Sequence, residues 1–377
     1  MHVIFMSPPP NNTAWLDQHH IQHIPTAQSD DPRATTKNAF RNIKDAGIDA
    51  AINNDNPVLQ SLAPALACPV LSVGHSEFGT QATLACRSHE WIDHVVAISY
   101  DLQKIFVTRH GVPVFKCPVI LNGARDNGVP PRQDVDDGRP LRLIYSGGVV
   151  RSKGAHIIAA MVAADSGAWE SVHLECFGHL PRSAVKRIEK SSNVTVRGRV
   201  PRDEFTKALR EADILLFPSR REACPMTILE AMESATVPIA SDGNGAMRWM
   251  IDSGTDGFIC PVEDWSAQAM DCVRFLATNR SVLLVMQAAA RARFESEFRT
   301  SDSVSKLLDL LGRPTVDRRH PLLTVEALHW HRPYEPLRRR PEALEASRAS
   351  LLDRLVLRSA AQVGYLRSAG AIDLSAV

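Results

Sequence analysis

The chain has 377 residues, enough for two domains that each bury a core of their own. Hydrophobic residues make up 44% and charged residues 23%, the balance of a water-soluble globular protein, and a net charge of +1 gives no general pull toward nucleic acid or anionic lipid. The seven scattered cysteines form no C-x-x-C and no metal-ligand spacing, so they read as core residues of a reducing, cytoplasmic protein.

The first six residues make one short apolar run that meets three prolines, unlike a signal peptide. No stretch approaches the roughly 18 apolar residues that a membrane-spanning helix needs. Val3 to Met6 reads as a buried strand, stopped by Ser7-Pro8-Pro9-Pro10-Asn11-Asn12. His19, His20 and His23 follow at irregular spacing with no carboxylate or cysteine in a ligand pattern, so no metal site is read. Lys37 to Ala46 is a helical pattern, followed by Gly47 and a strand at Ile48 to Ile52; Leu59 to Leu66 is a second helix. Pro69 to Gly74 is an apolar strand that delivers His75 at its carboxyl end, where open α/β sheets bind ligands. Val95 to Ser99 is the next strand, and Cys117 to Gly123 closes this half at the Asn122-Gly123 turn. Residues 124–140 are rich in Gly, Pro and Asp and read as a linker; within it Asp134-Val135-Asp136-Asp137 is a solvated acidic loop.

From Leu141 the pattern becomes regular. Strands at Leu143 to Ser146, Val172 to Phe177, Val194 to Arg197, Ile214 to Phe217 and Val237 to Ala240 alternate with helical runs, which predicts a parallel sheet covered on both faces. The first strand ends in Gly147-Gly148, followed by Arg151-Ser152-Lys153-Gly154. Small residues let a phosphate approach the backbone there, and the two cations can neutralise a diphosphate. The segment 217–245 is the most informative. Its strand breaks at Pro218-Ser219, a charged loop ends in Glu222, and Pro225 suits the first turn of a helix. The main-chain amides of Ala223, Cys224, Met226 and Thr227 then form an anion site at that helix N-terminus. Glu222 and Glu230, with seven residues between them, bracket the turn with carboxylates able to grip hydroxyls. Ala267 to Phe275 and Val282 to Phe298 are further amphipathic helices. The tail from Arg313 holds Trp330, Tyr334, Arg338-Arg339-Arg340 and an amphipathic run from Leu344 to Leu357. A basic contact to the inner face of a membrane is one reading of it.

The E-x7-E pair Glu222 and Glu230, the following Glu-Ala-Met, and Val237-Pro238-Ile239-Ala240 before a Gly-containing loop resemble the signature of retaining GT-B glycosyltransferases, family 4. The resemblance runs from about residue 70 to 298. It implies an α/β fold of GT-B type, with two Rossmann-like doubly wound domains facing across a cleft. On that reading residues 1–123 form a shortened acceptor-side domain, 124–140 the linker, 141–312 the nucleotide-sugar domain, and 313–377 a helical tail that crosses back to the N-terminal domain. Family members carry a Gly-rich loop after the first strand; here Pro8 to Asn12 stands instead.

The resemblance also implies a reaction. A sugar passes from a nucleoside-diphosphate sugar to a hydroxyl on a sugar, glycan or lipid-linked acceptor, with retention and without a metal or other cofactor. It places Lys153 on the diphosphate, where the family's earlier arginine falls on Gly148 and Arg151 supplies that charge. Glu230 would hold the ribose diol, and main chain near Val200 the base. Glu222 would orient the donor sugar, and His75 would reach it from the opposite domain on closure. A sugar-nucleotide epimerase and a non-catalytic sugar-nucleotide-binding protein are the rival readings.

Overall fold

A computed structural model describes residues 2–5, 22–25, 31–77, 79–130, 138–164, 169, 171–331 and 365–377. They divide into two compact units, one made of Met1–Ala97, Gln103–Pro118 and Leu308–Val377, the other of Ile98–Leu102 and Val119–Leu307. The first unit opens with a parallel pair, β1 (His2–Phe5) and β2 (Gln22–Pro25). His23 lies in β2, while Pro8 to Asn12, His19 and His20 fall outside the described residues. Helix α1 runs Pro32–Ala46, starting earlier than its apolar period suggests. Asp31 caps it by accepting from the Arg33 amide at 2.9 Å, and a proline follows the cap, where its missing N–H is harmless. Strands β3 (Ala51–Asn54), β4 (Val70–Gly74) and β5 (His94–Ala97) form a parallel sheet in that order. Helices α2 (Pro57–Leu62), α3 (Gly79–Cys86) and α4 (Tyr100–His110) complete this part of the chain.

The second unit holds β6 (Leu141–Ser146), α5 (Ala155–Ala164), β7 (Val172–Phe177), α6 (Arg182–Ile188), β8 (Val194–Gly198), α7 (Arg202–Glu211) and β9 (Ile214–Phe217). Then come β10 (Arg221–Glu222), α8 (Met226–Glu233), β11 (Val237–Ser241), β12 (Asn244–Gly245), α9 (Met247–Met250) and β13 (Phe258–Cys260). Helices α10 (Trp265–Thr278), α11 (Arg280–Glu297) and α12 (Thr300–Leu311) follow. Six strands form one all-parallel sheet in the order β13-β11-β9-β6-β7-β8. Alternate residues of each strand feed opposite cores: Leu143, Tyr145, Leu174 and Leu216 pack on one face, Ile144, Leu215, Phe217 and Ala240 on the other. Burial on both faces is why these strands read as continuous apolar runs.

Residues 124–130, expected to belong to a linker, are tied into the second unit. Ala124 exchanges main-chain bonds with Phe298 and Thr300, and Asp126 pairs with Arg291 and Arg299 at 2.7 and 2.9 Å. The acidic run 134–137 lies outside the described residues.

The described part of the tail is strand where a helix was expected: β14 (Thr324–His331) and β15 (Tyr365–Asp373) form an antiparallel pair, grouped in the first unit with Met1–Ala97. Val325, Ala327, Leu328 and Ile372 are buried, an inward-facing stripe with a bulge between Glu326 and Leu328. Tyr334, Arg338 to Arg340 and the run 344–357 fall outside the described residues. A buried aspartate anchors the segment before β14. Asp93 accepts from the amides of Val70, Thr315 and Val316 at 2.9, 2.7 and 2.9 Å and from Arg318 at 3.0 Å. Burial alone would raise its carboxyl, but these donors outweigh that and hold it below its ordinary range. Among the described residues, no helix is long and apolar enough to cross a membrane.

Candidate functional site

In the second unit two loops at the carboxyl ends of neighbouring strands are laced together. The Gly147 amide, just past β6, donates to the Phe177 carbonyl at 3.1 Å. The buried Tyr145 hydroxyl donates to the Lys153 carbonyl at 2.9 Å and pins the turn 151–153 above the sheet. That turn ends at Gly154, whose φ is +81° and whose missing Cβ would lie 2.6 Å from Pro218. Only glycine allows both the left-handed backbone and this approach to the loop after β9. The Arg220 amide donates to the Ser152 carbonyl at 2.9 Å and closes the seam.

This lacing delivers two predicted residues to one point. Lys153 Nζ donates to Glu222 Oε1 at 2.5 Å, and the Ser219 hydroxyl donates to the same oxygen at 2.6 Å. Glu222 is 11% exposed and Lys153 41%, so a desolvated carboxylate faces a cation that still reaches solvent. The carboxylate is held from behind by β10, which pairs with β12 through Glu222 and Gly245. Helix α8 begins directly after, at Met226, with Pro225 as its capping residue and no side chain capping its first turn. Its leading amides therefore remain available, as a helix N-terminus dictates. Ala223, Cys224 and Thr227 are half-buried beside it and Met226 is exposed. Burial pushes the Cys224 thiol up to about 11, so it is a neutral wall at ordinary pH.

Residues 140–279 match the family Glycosyl transferases group 1. The amylovoran biosynthesis glycosyltransferase AmsK of Erwinia amylovora is 25% identical over 247 residues, 63% of this chain and 57% of AmsK. The chain spans a little over half the length of the curated relatives it matches. Among solved structures, a glycosyltransferase from Rickettsia africae superposes with a TM-score of 0.68 at 16% identity, covering 82% of this chain and 89% of that one. Anabaena HepE in complex with UDP and glucose gives a TM-score of 0.66 at 15% identity, over 82% and 91% of the two chains. These neighbours are GT-B glycosyltransferases, and the parallel α/β architecture of this chain is consistent with that fold of two Rossmann-like domains.

Within the matched segment, the second glutamate sits apart from the first. Glu230 Oε1 accepts from Arg202 Nη2 at 2.7 Å, and Glu230 is 13% exposed. Burial pushes its carboxyl above the usual glutamate range, and Arg202 pulls it part of the way back. The pair lines a cavity of about 580 Å³ between α7 and α8, with Arg125, Asn127, Thr206 and Lys207. Val200, half-buried past β8, packs into the same core as Phe205. Gly148 faces open space, with nothing within 4 Å of where a Cβ would lie. Arg151 lines a separate cavity of about 250 Å³ with His156 and Arg187, while Lys153 is the cation that meets Glu222.

His75 stands at the carboxyl end of β4 in the first unit, its Nε2 2.9 Å from Asn54 Oδ1. Two polar contributors were not legible beforehand. Ser219 lies three residues before Glu222 in the same loop, and only the fold turns its hydroxyl to that carboxylate. Arg202 meets Glu230 from another helix, and no local pattern marks it. Among the described residues, no cluster of three or more His, Cys, Asp or Glu side chains could hold a metal.

Proposed function

We propose that this chain transfers a glycosyl group from a nucleoside-diphosphate sugar to a hydroxyl acceptor, with retention at the anomeric carbon and without a metal, in the biosynthesis of a polysaccharide or related glycan. The observation that carries the reading is the Lys153–Glu222–Ser219 cluster beside the uncapped start of α8, with Glu230 a turn further along the helix. Lys153 and the α8 amides would take up the charge that grows on the diphosphate as the glycosidic bond breaks. Fixed donors in a partly dry site do this without reorganisation. Glu222 would accept hydroxyls of the donor sugar, and Glu230 the ribose hydroxyls. His75 would act at the sugar once the donor is bound. The departing phosphate oxygen would take the acceptor proton, so no carboxylate nucleophile is required of the site. AmsK belongs by its name to amylovoran biosynthesis, and HepE was captured with UDP and glucose; a UDP-sugar and an extending glycan are therefore the first candidates. Action at the cytoplasmic side of a membrane belongs to the same proposal.

The test is a thermal-shift panel of UDP, GDP, ADP, dTDP and their sugar conjugates on wild type and Glu230→Ala. A ligand that binds only the folded state raises its stability by mass action. One nucleotide should stand out with wild type and be lost in the variant. Proton NMR of the product from the selected donor then reads the anomeric configuration. A panel with no shift on wild type would sink the donor site, and an inverted product would sink retention.

A further inference from the structure

The cavity lined by Arg151 is used by none of the roles in the proposed function. It is lined by Val149, Val150 and Arg151 from the loop after β6, by Ala155, His156 and Ala159 of α5, and by Pro181, Ser183, Ala184 and Arg187 from the start of α6. Its volume of about 250 Å³ admits a group of diphosphate size. No acidic side chain lines it, and among the described residues neither Arg151 nor Arg187 has an acidic partner. The contrast with the larger cavity is direct. There Arg202 is neutralised by Glu230, and Asp203 and Glu233 also line the wall. Here two guanidinium groups, an imidazole and the Ser183 hydroxyl come from three separate pieces of chain with no anion among them. His156 registers the resulting field. Burial first, then the charges of Arg151 and Arg220, hold its imidazole below the usual range. The rim is apolar, for Val149 and Val150 are 60% and 59% exposed side by side.

We infer that this cavity is an anion subsite for a phosphoryl group, distinct from the Lys153–Glu222 site. Guanidinium groups bind phosphate oxygens in bidentate fashion, and an unpaired pair of them in a concave site is poised for that ligand. The exposed valines suit a phosphoryl group carried beside an apolar chain or surface as well as a free one. The turn 151–153 serves both sites, sending Arg151 to one and Lys153 to the other.

The experiment titrates inorganic pyrophosphate by calorimetry into wild type, Arg187→Glu and Ser183→Trp, each with the nucleotide selected above present at saturation to fill the donor site. Both substituted positions are exposed, so the fold should survive, which circular dichroism checks. Wild type should bind; Arg187→Glu should lose about tenfold or more in affinity, the loss of one charge-assisted contact. Ser183→Trp should lose as much by filling the space. A parallel arm floats wild type and Arg187→Glu with phosphatidylcholine vesicles that do or do not contain phosphatidic acid. Arg187-dependent flotation with the acidic vesicles assigns the site to a lipid phosphate, and its absence beside pyrophosphate binding assigns it to a free one. Pyrophosphate binding that both variants leave unchanged, or no binding of either probe, overturns the inference. If no nucleotide binds at all, pyrophosphate is titrated alone. Loss in Arg187→Glu then still supports this cavity, while the donor reading fails separately.

Discussion

Glu222→Gln keeps the shape of the side chain and removes its charge. In the structure the carboxylate engages Lys153 at 2.5 Å, yet Lys153 is 41% exposed, so solvent screens the pair. An ion pair of that kind is worth about 1 kcal/mol, not the several expected of a buried one. A diphosphate that needs Lys153 must first displace this partner, and about 1 kcal/mol corresponds to roughly fivefold in affinity. The sugar-free nucleoside diphosphate should therefore bind Glu222→Gln roughly fivefold tighter than wild type. Transfer from the intact donor should fall instead, by roughly tenfold to a hundredfold, through loss of a charged acceptor for the sugar hydroxyls. Calorimetry at fixed ionic strength measures the first effect and a coupled assay for released nucleotide the second. Lys153→Met should weaken nucleotide binding with either residue at 222. If a well-folded Glu222→Gln protein binds the nucleotide no better than wild type, Glu222 and the diphosphate do not compete for Lys153, and the reasoning fails.

Other perturbations separate stability from binding. Because burial raises the Glu230 carboxyl, nucleotide affinity should decline with falling pH sooner than an ordinary glutamate would allow, and Glu230→Gln should flatten that profile while weakening binding throughout. Asp93→Ala should destabilise the first unit by about 3–5 kcal/mol, because Arg318 is 8% exposed and would be left a buried charge without its partner; chemical denaturation measures it. The Asp93 carboxyl is lowered on folding, so its contribution is present above the unfolded-state value of about 3.9 and is lost as pH falls through the folded one. Gly245→Ala should disrupt the seat of Glu222: φ is +124° there, and a Cβ would fall 1.4 Å from the Glu222 carbonyl oxygen. Both a lower melting temperature and loss of transfer are expected, and a variant with wild-type activity would show that β10 and β12 do not position Glu222.

What could be read beforehand was local. Val172–Phe177 and Ile214–Phe217 occupy the stretches their apolar runs mark, because strands buried on both faces need no alternation to be recognised. Glu222 and Glu230 stood out through the family resemblance of their E-x7-E segment, since two glutamates at that spacing alone would say little. The strand β14 gave no clear signal because Glu326 interrupts its buried stripe, and its partner strand starts only at Tyr365. Thr324–His331 has neither a clean alternation nor a nearby second strand to give it away. Arg202 and Asp93 share another obstacle. Each is an ordinary charged residue in its own neighbourhood, and its role depends on a partner 28 residues away for Arg202 and 225 for Asp93.

The division of the chain also sets an order of events at the ribosome. Val119–Leu307 emerges as one continuous stretch with its whole parallel sheet, whereas the first unit waits for Leu308–Val377. Until Thr315, Val316 and Arg318 have been synthesised, Asp93 has no partner in the tail. Closing a loop of more than two hundred residues costs only about 0.6 kcal/mol more than closing one half as long, so the final state is hardly penalised. The delay is kinetic: a nascent chain can hold the continuous stretch of the second unit folded while the first unit still waits for Leu308 and the residues that follow it.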